Sequence, residues 1–259
     1  MDNFVENLVG EETERLRVAL EAETQMRLEV QGQLDRANAE FEEFVSMAAH
    51  NLREPLRDVA SFSQLLAETC DGRLDSETGV FLDRIRQGAA SIQSVLAGVV
   101  DYWAAGSGGR QPSRTDMEAV LCQALLRADK QVTERGAIVT HDPMPAVMGD
   151  FEILTKVLHH LIQNAIAYGG ANSPRVHISC RRVDLGWEFR VRDNGLGIAP
   201  AFQGRIFCVF KRLHGREYPG NGLGLPFCKK AIAGLGGRMS MESTLGVGSI
   251  FCFALPPAD

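Results

Sequence analysis

No stretch of this chain approaches the roughly 18 to 20 consecutive apolar residues that a membrane-spanning helix needs, and its acidic N-terminus is not a signal peptide. A soluble, cytoplasmic protein is expected. Paired cysteines are missing as well. Cys70, Cys122, Cys180, Cys208, Cys228 and Cys252 stand far apart with no C-x-x-C among them. That pattern reads as ordinary buried thiols in a reducing compartment, not as a disulfide frame or a zinc site. Nor is positive charge in excess. With 27 Lys and Arg against 33 Asp and Glu the net charge is −6, so the total implies no surface for nucleic acid or another polyanion. What is present is 259 residues, 45% of them hydrophobic, which suits two modest domains with a real core.

The first third reads as helix. Leu34, Ala37, Phe41, Phe44, Ala48 and Leu52 recur in steps of three and four, the seam of a coiled coil, continued less strictly through Leu56, Val59, Phe62 and Leu66. Upstream, Leu16, Leu20, Met26 and Val30 give a ragged seam among mixed charges, which suits a parallel coiled-coil entry or a solvated single helix. A turn is expected at Cys70-Asp71-Gly72-Arg73. Beyond it Leu82, Ile85, Ala89, Ile92, Leu96, Val99 and Trp103 repeat the helical spacing. Two amphipathic helices joined by a short loop make a hairpin that buries one stripe of each. Pairing of two hairpins into a four-helix bundle closes such a core, so patterning alone points to a dimer.

Ala104-Ala105-Gly106-Ser107-Gly108-Gly109 breaks the second helix and reads as a flexible linker. The texture then changes. Asp116 to about Val132 reads as helix, Ile138–His141 as a short strand, and Asp150 as the cap of a helix reaching about Tyr168. Val176–Arg182 and Trp187–Asp193 read as adjacent strands. Glycine loops, the helix Pro226–Gly234 and a closing hairpin ending in the strand Ile250–Leu255 complete an α+β sandwich with helices on one face of one sheet.

Three segments carry more glycine than packing requires: Asp193-Asn194-Gly195-Leu196-Gly197 after a strand, Gly220-Asn221-Gly222-Leu223-Gly224-Leu225 before a helix, and Gly246-Val247-Gly248-Ser249 before the last strand. Taken singly, each is a tight turn or an anion cradle of backbone N–H groups and a helix N-terminus. A Walker P-loop is absent. A dinucleotide-binding fold is disfavoured, because no repeating βαβ units surround the loops and the acid precedes the glycines. Taken in order, with Asn164-Ala165 upstream and Phe207-x-x-Phe210-Lys211-Arg212 between the first two, the segments are far more specific. Over roughly residues 40 to 256 the chain resembles the sensor histidine kinases of two-component systems, with their N, G1, F, G2 and G3 boxes. Phe210-Lys211-Arg212-Leu213-His214 is similar to the branch containing phytochrome-like kinases.

The resemblance implies the remaining roles. Asn164 would help hold Mg²⁺ against the triphosphate of ATP, since magnesium takes hard oxygen ligands and keeps several waters. Asp193 would accept the adenine amino group, with Gly195 and Gly197 letting the chain pass close to the base. Gly220, Gly222 and Gly224 would lie beside the phosphates. Residues from about Phe207 to Pro219 would form a lid whose Lys211, Arg212 and Arg216 face phosphate charge. Tyr168, Ile198, Leu223 and Leu225 flank these boxes and complete the implied nucleotide contacts. His50-Asn51-Leu52-Arg53-Glu54-Pro55 resembles the phosphoacceptor box, with proline five residues after the histidine. Helical geometry turns His50 roughly 200° from the seam, onto a polar stripe with Ser46, Glu54, Arg57 and Ser61. Pro55, which has no N–H for the carbonyl of residue 51, is expected to kink the helix.

Three positions depart from the family pattern. Asn51 stands where an acid usually follows the histidine; it accepts an N–H bond but takes no proton, a loss typically worth about 10²–10⁴-fold, and Glu54 is the nearest substitute. His160 stands where an asparagine or carboxylate is common and is a second candidate toward the metal. Ala167 replaces a frequent lysine, a charge that Lys211 or Arg212 could restore.

The expected architecture is thus an all-α helical hairpin forming a dimeric four-helix bundle, followed by an α+β two-layer sandwich of the histidine kinase, gyrase and Hsp90 type. Its parts are an N-terminal helix over residues 1–40, a dimerisation and phosphotransfer hairpin over 41–104, a linker over 105–114 and an ATP-binding domain over 115–259. The expected activity is autophosphorylation of His50 and transfer to an aspartate of a response-regulator receiver domain. The alternatives are a degenerate kinase serving as an ATP-binding dimeric scaffold or a phosphotransfer or phosphatase partner, and another ATPase on the same nucleotide fold. The expected partners are a second copy, a receiver domain and an upstream sensor domain or receptor, with no nucleic acid.

Overall fold

The structure is a computed structural model that describes residues 2–70, 76–105, 112–170, 173–184, 186–213, 218 and 220–258. The expected turn residues Asp71–Arg73, the linker residues Gly106–Gly109, and His214, Arg216 and Pro219 lie outside the described residues. Two compact units, residues 1–48 and 49–259, divide the chain.

The described residues of the first unit, 2–48, are all helical and form the beginning of α1 (Asp2–Thr69). Its seam residues Leu20, Met26, Val30, Leu34 and Phe41 are exposed. Arg27 pairs with Glu23 one turn earlier at 2.7 Å, the kind of surface ion pair that adds a few tenths of a kcal/mol, about 0.3–0.5, to a helix.

In the second unit α1 continues without interruption through Pro55, and α2 (Ser76–Ala104) follows. Burial along the two helices is uneven. Ala49, Ser63, Leu82 and Ala89 are buried, whereas Leu52, Val59, Phe62, Leu66, Ile85 and Ile92 of the same apolar pattern stay exposed.

The rest of the second unit is the α+β sandwich. Asp116 caps α3 (Met117–Arg135), accepting the Glu118 N–H at 3.0 Å. Asp150 caps α4 (Phe151–Ala167) through the Ile153 N–H at 2.9 Å. Each cap satisfies an otherwise orphaned helical donor. Along α4 the buried Leu154, Val157, Leu158, Leu161, Ile162 and Ala165 follow the three-and-four spacing of a core-facing stripe.

Five strands form the main sheet in the order β2 (Ile138–His141), β4 (Arg175–Val183), β5 (Gly186–Asp193), β7 (Gly248–Leu255), β6 (Arg238–Thr244). Only β2 and β4 run parallel. Alternation sends Phe189, Val191, Phe251 and Phe253 to the core, where Phe189 and Phe253 face each other across the β5–β7 ladder and stack at 5.0 Å. The opposite face carries Arg181, Glu188, Arg190 and Glu242 in linked ion pairs. α4 and α6 (Gly224–Gly234) lie on the core side, with α3 packed on α4. A short helix α5 (Pro200–Gln203) follows the first glycine loop.

A second sheet was not legible in the sequence. β1 (Ser113–Asp116) pairs antiparallel with β3 (Ala146–Gly149), and Ser113 and Arg114 fall inside the stretch expected as linker. The Met148 N–H donates to the Pro256 carbonyl at 3.2 Å, so this small sheet also ties down the chain's end.

Candidate functional site

Asp193 closes β5 and is buried. Its Oδ1 accepts the N–H of Gly195 at 2.8 Å and that of Ser249 at 3.1 Å. Burial nevertheless raises the carboxyl above its usual range, outweighing both backbone donors. Oδ2 makes no hydrogen bond among the described residues and remains available to a ligand. The first glycine loop is laced to the end of α4: the Leu196 N–H donates to the Tyr168 carbonyl at 2.9 Å. A Cβ on Gly195 would stand 2.3 Å from that same carbonyl oxygen, so only glycine fits there.

These elements enclose a cavity of about 580 Å³, a size suited to a nucleotide-sized ligand. Of the residues named by the family resemblance, Asn164, Tyr168, Asp193, Gly197 and Ile198 line it. So do Lys211, Arg212, Gly220, Gly222, Gly224 and Leu225. Gly195 and Leu223 stand behind the wall instead, Leu223 buried. Ala167, where the resemblance led to the expectation of a lysine, lines the cavity, and Arg135, Lys211 and Arg212 are the cations on its wall.

His160 lines the cavity too, but its ring meets Phe227 of α6 edge-on at 5.4 Å between centroids. Burial, helped by neighbouring His159, lowers its pKa to about 4, so the imidazole is neutral at physiological pH. It serves as a packed wall more than as a charge.

Phe210 adopts a left-handed backbone at φ 59° and donates its N–H to the Gly222 carbonyl at 3.0 Å, joining the phenylalanine box to the second glycine loop. A non-glycine residue in that region is uncommon and costs energy that its surroundings must supply. The Arg212 guanidinium donates to the Tyr218 carbonyl, and the Tyr218 ring stacks on Tyr168 at 5.0 Å and 23°.

The second glycine loop is also held from α2. Asn221 donates from Nδ2 to the Ser94 carbonyl at 2.9 Å while its Oδ1 accepts the Leu223 N–H at 3.0 Å. Gly98, one turn along α2, permits this approach: a Cβ there would stand 2.9 Å from both Asn221 Nδ2 and Leu223 Cδ1. One turn further, Asp101 pairs with Lys156 of α4 at 2.6 Å. Lys230 of α6 donates to the Trp103 carbonyl at 3.3 Å and lies over the Tyr102 and Trp103 rings at 4.7 and 4.5 Å.

His50, Asn51 and Glu54 are exposed on α1 and are not among the cavity residues. Arg57 and Ser61 of the expected polar stripe are exposed with them. Sequence reasoning did not single out Ser94, and it held Tyr218 only within the expected lid and Asn221 only as a member of the second glycine segment. Ser249 was visible only as a member of the third glycine segment.

Residues 149–259 match the family model described as histidine kinase-, DNA gyrase B-, and HSP90-like ATPase. Cyanobacterial phytochrome A of Nostoc sp. (strain PCC 7120) is 39% identical over 224 residues, 86% of this chain and 29% of that protein. The sensor-like histidine kinase SenX3 of Mycobacterium tuberculosis is 32% identical over 233 residues, 85% of this chain and 55% of that one. Among solved structures, full-length ShkA in complex with AMPPNP superimposes with a TM-score of 0.66 at 26% identity, over 83% of this chain and 45% of that chain. The chain thus spans under a third of the phytochrome and just over half of SenX3. With most of its cavity residues inside the matched domain and its similarity to SenX3 covering 85% of its length, the chain carries a histidine kinase-type ATPase domain and is similar to sensor histidine kinases back through its helices.

Proposed function

We propose that this chain is the kinase core of a two-component sensor, which binds ATP with Mg²⁺, phosphorylates His50 and passes the phosphoryl group to an aspartate of a response-regulator receiver domain. The observation that carries this reading is the presence, in one chain, of a buried Asp193 whose Oδ2 makes no hydrogen bond among the described residues at a glycine-lined cavity and of an exposed His50 on α1.

Adenine would donate its amino group to Asp193, and the triphosphate would lie along Gly220–Gly224 with Lys211 and Arg212 near its charge. The residues fit a magnesium ion that relies mainly on phosphate oxygens: Asn164 supplies an amide oxygen at the cavity, and no cluster of three or more His, Cys, Asp or Glu forms elsewhere among the described residues. His160 is neutral and offers at most a ring nitrogen. When bound, the ion would neutralise charge on the phosphate oxygens.

In the transfer, a nitrogen of the His50 ring bonds to the γ-phosphorus as the bond to the bridging oxygen breaks, leaving ADP. The ring's other N–H is oriented by Asn51, and its proton is taken by Glu54 or water. A second copy supplies the apolar surface that covers the exposed stripe of α1 and α2, giving the four-helix bundle.

The test is incubation with γ-labelled ATP and Mg²⁺ and assay of acid-labile, base-stable label. Wild type acquires it, His50→Ala does not, and Asn51→Asp acquires it faster. ATP binding without label under varied metal and temperature would instead assign an ATP-binding dimeric scaffold.

A further inference from the structure

His160 and Asn164 stand one helical turn apart on α4, share a face of it, and both line the cavity. The Asn164 side chain makes no hydrogen bond among the described residues, and neither nitrogen of the His160 ring makes one. Neighbouring His159 is a contrast. Its Nδ1 is sealed in the protein without a partner, and its ring lies beside Ala124 and Arg127 of α3. The His160 nitrogens are not sealed in this way. Gly224, at the head of α6, leaves this ring its place against the second glycine loop: a Cβ there would stand 3.2 Å from His160 Nδ1.

Packing alone is a poor account of the ring. The edge-on contact with Phe227 is one that a phenyl ring makes equally well, without leaving polar atoms unpaired. Burial first, and His159 second, keep the imidazole neutral, so one of its nitrogens carries a lone pair free of a proton at physiological pH. An imidazole nitrogen and an amide oxygen one turn apart make two ligands of a cation site that phosphate oxygens and water would complete. Two protein ligands also accord with the lack of any cluster of three or more His, Cys, Asp or Glu among the described residues.

Ligand type then sets which ion gains most. Magnesium takes oxygen ligands and gives up its water reluctantly. Imidazole suits later first-row cations, whose affinity rises from Mn²⁺ through Co²⁺ to Ni²⁺. We propose that His160 is a specificity-determining residue for the cation that accompanies the nucleotide, favouring a first-row transition cation such as Co²⁺ or Ni²⁺ relative to Mg²⁺. This inference rests on the ATP-binding reading above and deepens it. Mg²⁺ still binds through Asn164 and the phosphates, and His160 adds a ligand only for an ion that takes nitrogen.

The full chain is titrated calorimetrically with ADP under saturating Mg²⁺, under saturating Co²⁺ and in EDTA. Groups one shell beyond the metal ligands already change metal affinity by about 10–100-fold. Wild type should therefore bind the Co²⁺ complex about tenfold or more tighter than the Mg²⁺ complex. His160→Asn, which offers an oxygen in place of the ring, should cut that ratio about tenfold or more and bind metal-free ADP as wild type does. With Co²⁺ and ADP together, nuclear magnetic resonance of wild type should show a hyperfine-shifted imidazole resonance that is missing without ADP and missing from His160→Asn. An unchanged Co²⁺-to-Mg²⁺ ratio in the variant, or no shifted resonance in wild type, overturns the inference and leaves the ring as packing. Equal weakening of ADP in all three conditions overturns it as well, because the effect is then structural. If wild type binds ADP in none of the three, the nucleotide reading itself fails, so the two failures are distinguishable.

Discussion

His160 shows how one residue changes both chemistry and stability. A histidine in the unfolded chain titrates near 6.5, whereas burial between α4 and α6 brings this one to about 4. As pH falls the unfolded chain takes the proton first, so native stability from this site is whole above about pH 6.5 and declines down to about pH 4. At pH 5 the loss should be about 2 kcal/mol. Urea unfolding at pH 7 and pH 5 checks this: wild type should lose about that much more than His160→Asn, and parallel losses would contradict it. The sequence showed that a histidine occupies this position, but not that Phe227 of another helix would meet its ring and leave it uncharged. Asp193 divided in the same way. Its place after a strand and before glycines was readable, while the Ser249 N–H, one of the two backbone donors on its Oδ1, comes from the neighbouring strand β7, 56 residues away in sequence.

At the scale of elements, legibility followed sequence distance. The capping aspartates of α3 and α4 and the alternation of β4 and β5 are local signals, and those elements lie close to where the sequence puts them. β1 and β3 are four residues each, too short to display a period, and exist only because they pair with each other. The hold of α2 on the second glycine loop was invisible because Ser94 and Asn221 are 127 residues apart. Ser94, Gly98 and Asp101 are spaced four and three apart and so share one face of α2, with Gly98 as the point of closest approach. Gly98→Leu should favour α2 as a helix by about 1 kcal/mol of propensity yet push the loop away. Hydrogen exchange should then quicken at Leu223 and the residues after it, by about tenfold, without change at the core of α4. Unchanged protection at Leu223 would show that the loop does not depend on α2.

For the whole molecule, the second unit has one well-filled core and one unfilled surface. The sandwich buries Leu158, Leu161, Phe189 and Ile232 completely, while Val59, Phe62, Leu66, Ile85 and Ile92 on α1 and α2 stay exposed. No helix among the described residues is long and apolar enough to cross a membrane, so a bilayer-spanning role does not account for that stripe. Apolar surface of this kind is stabilised by association. Analytical ultracentrifugation should find a dimer that Phe62→Glu converts to monomer, with ADP affinity retained. A wild-type monomer at micromolar concentration would refute the bundle.

Asn221 belongs at once to the wall of the cavity and to the contact with α2. Two such attachments sharing one side chain obey reciprocity. If an occupant of the cavity loosens Asn221 from Ser94 by some factor, then a twist or pull that frees α2 must alter the occupant's affinity by the same factor. On that condition a load on α2 is readable as a change in ligand binding, and ligand concentration as a change in the freedom of α2.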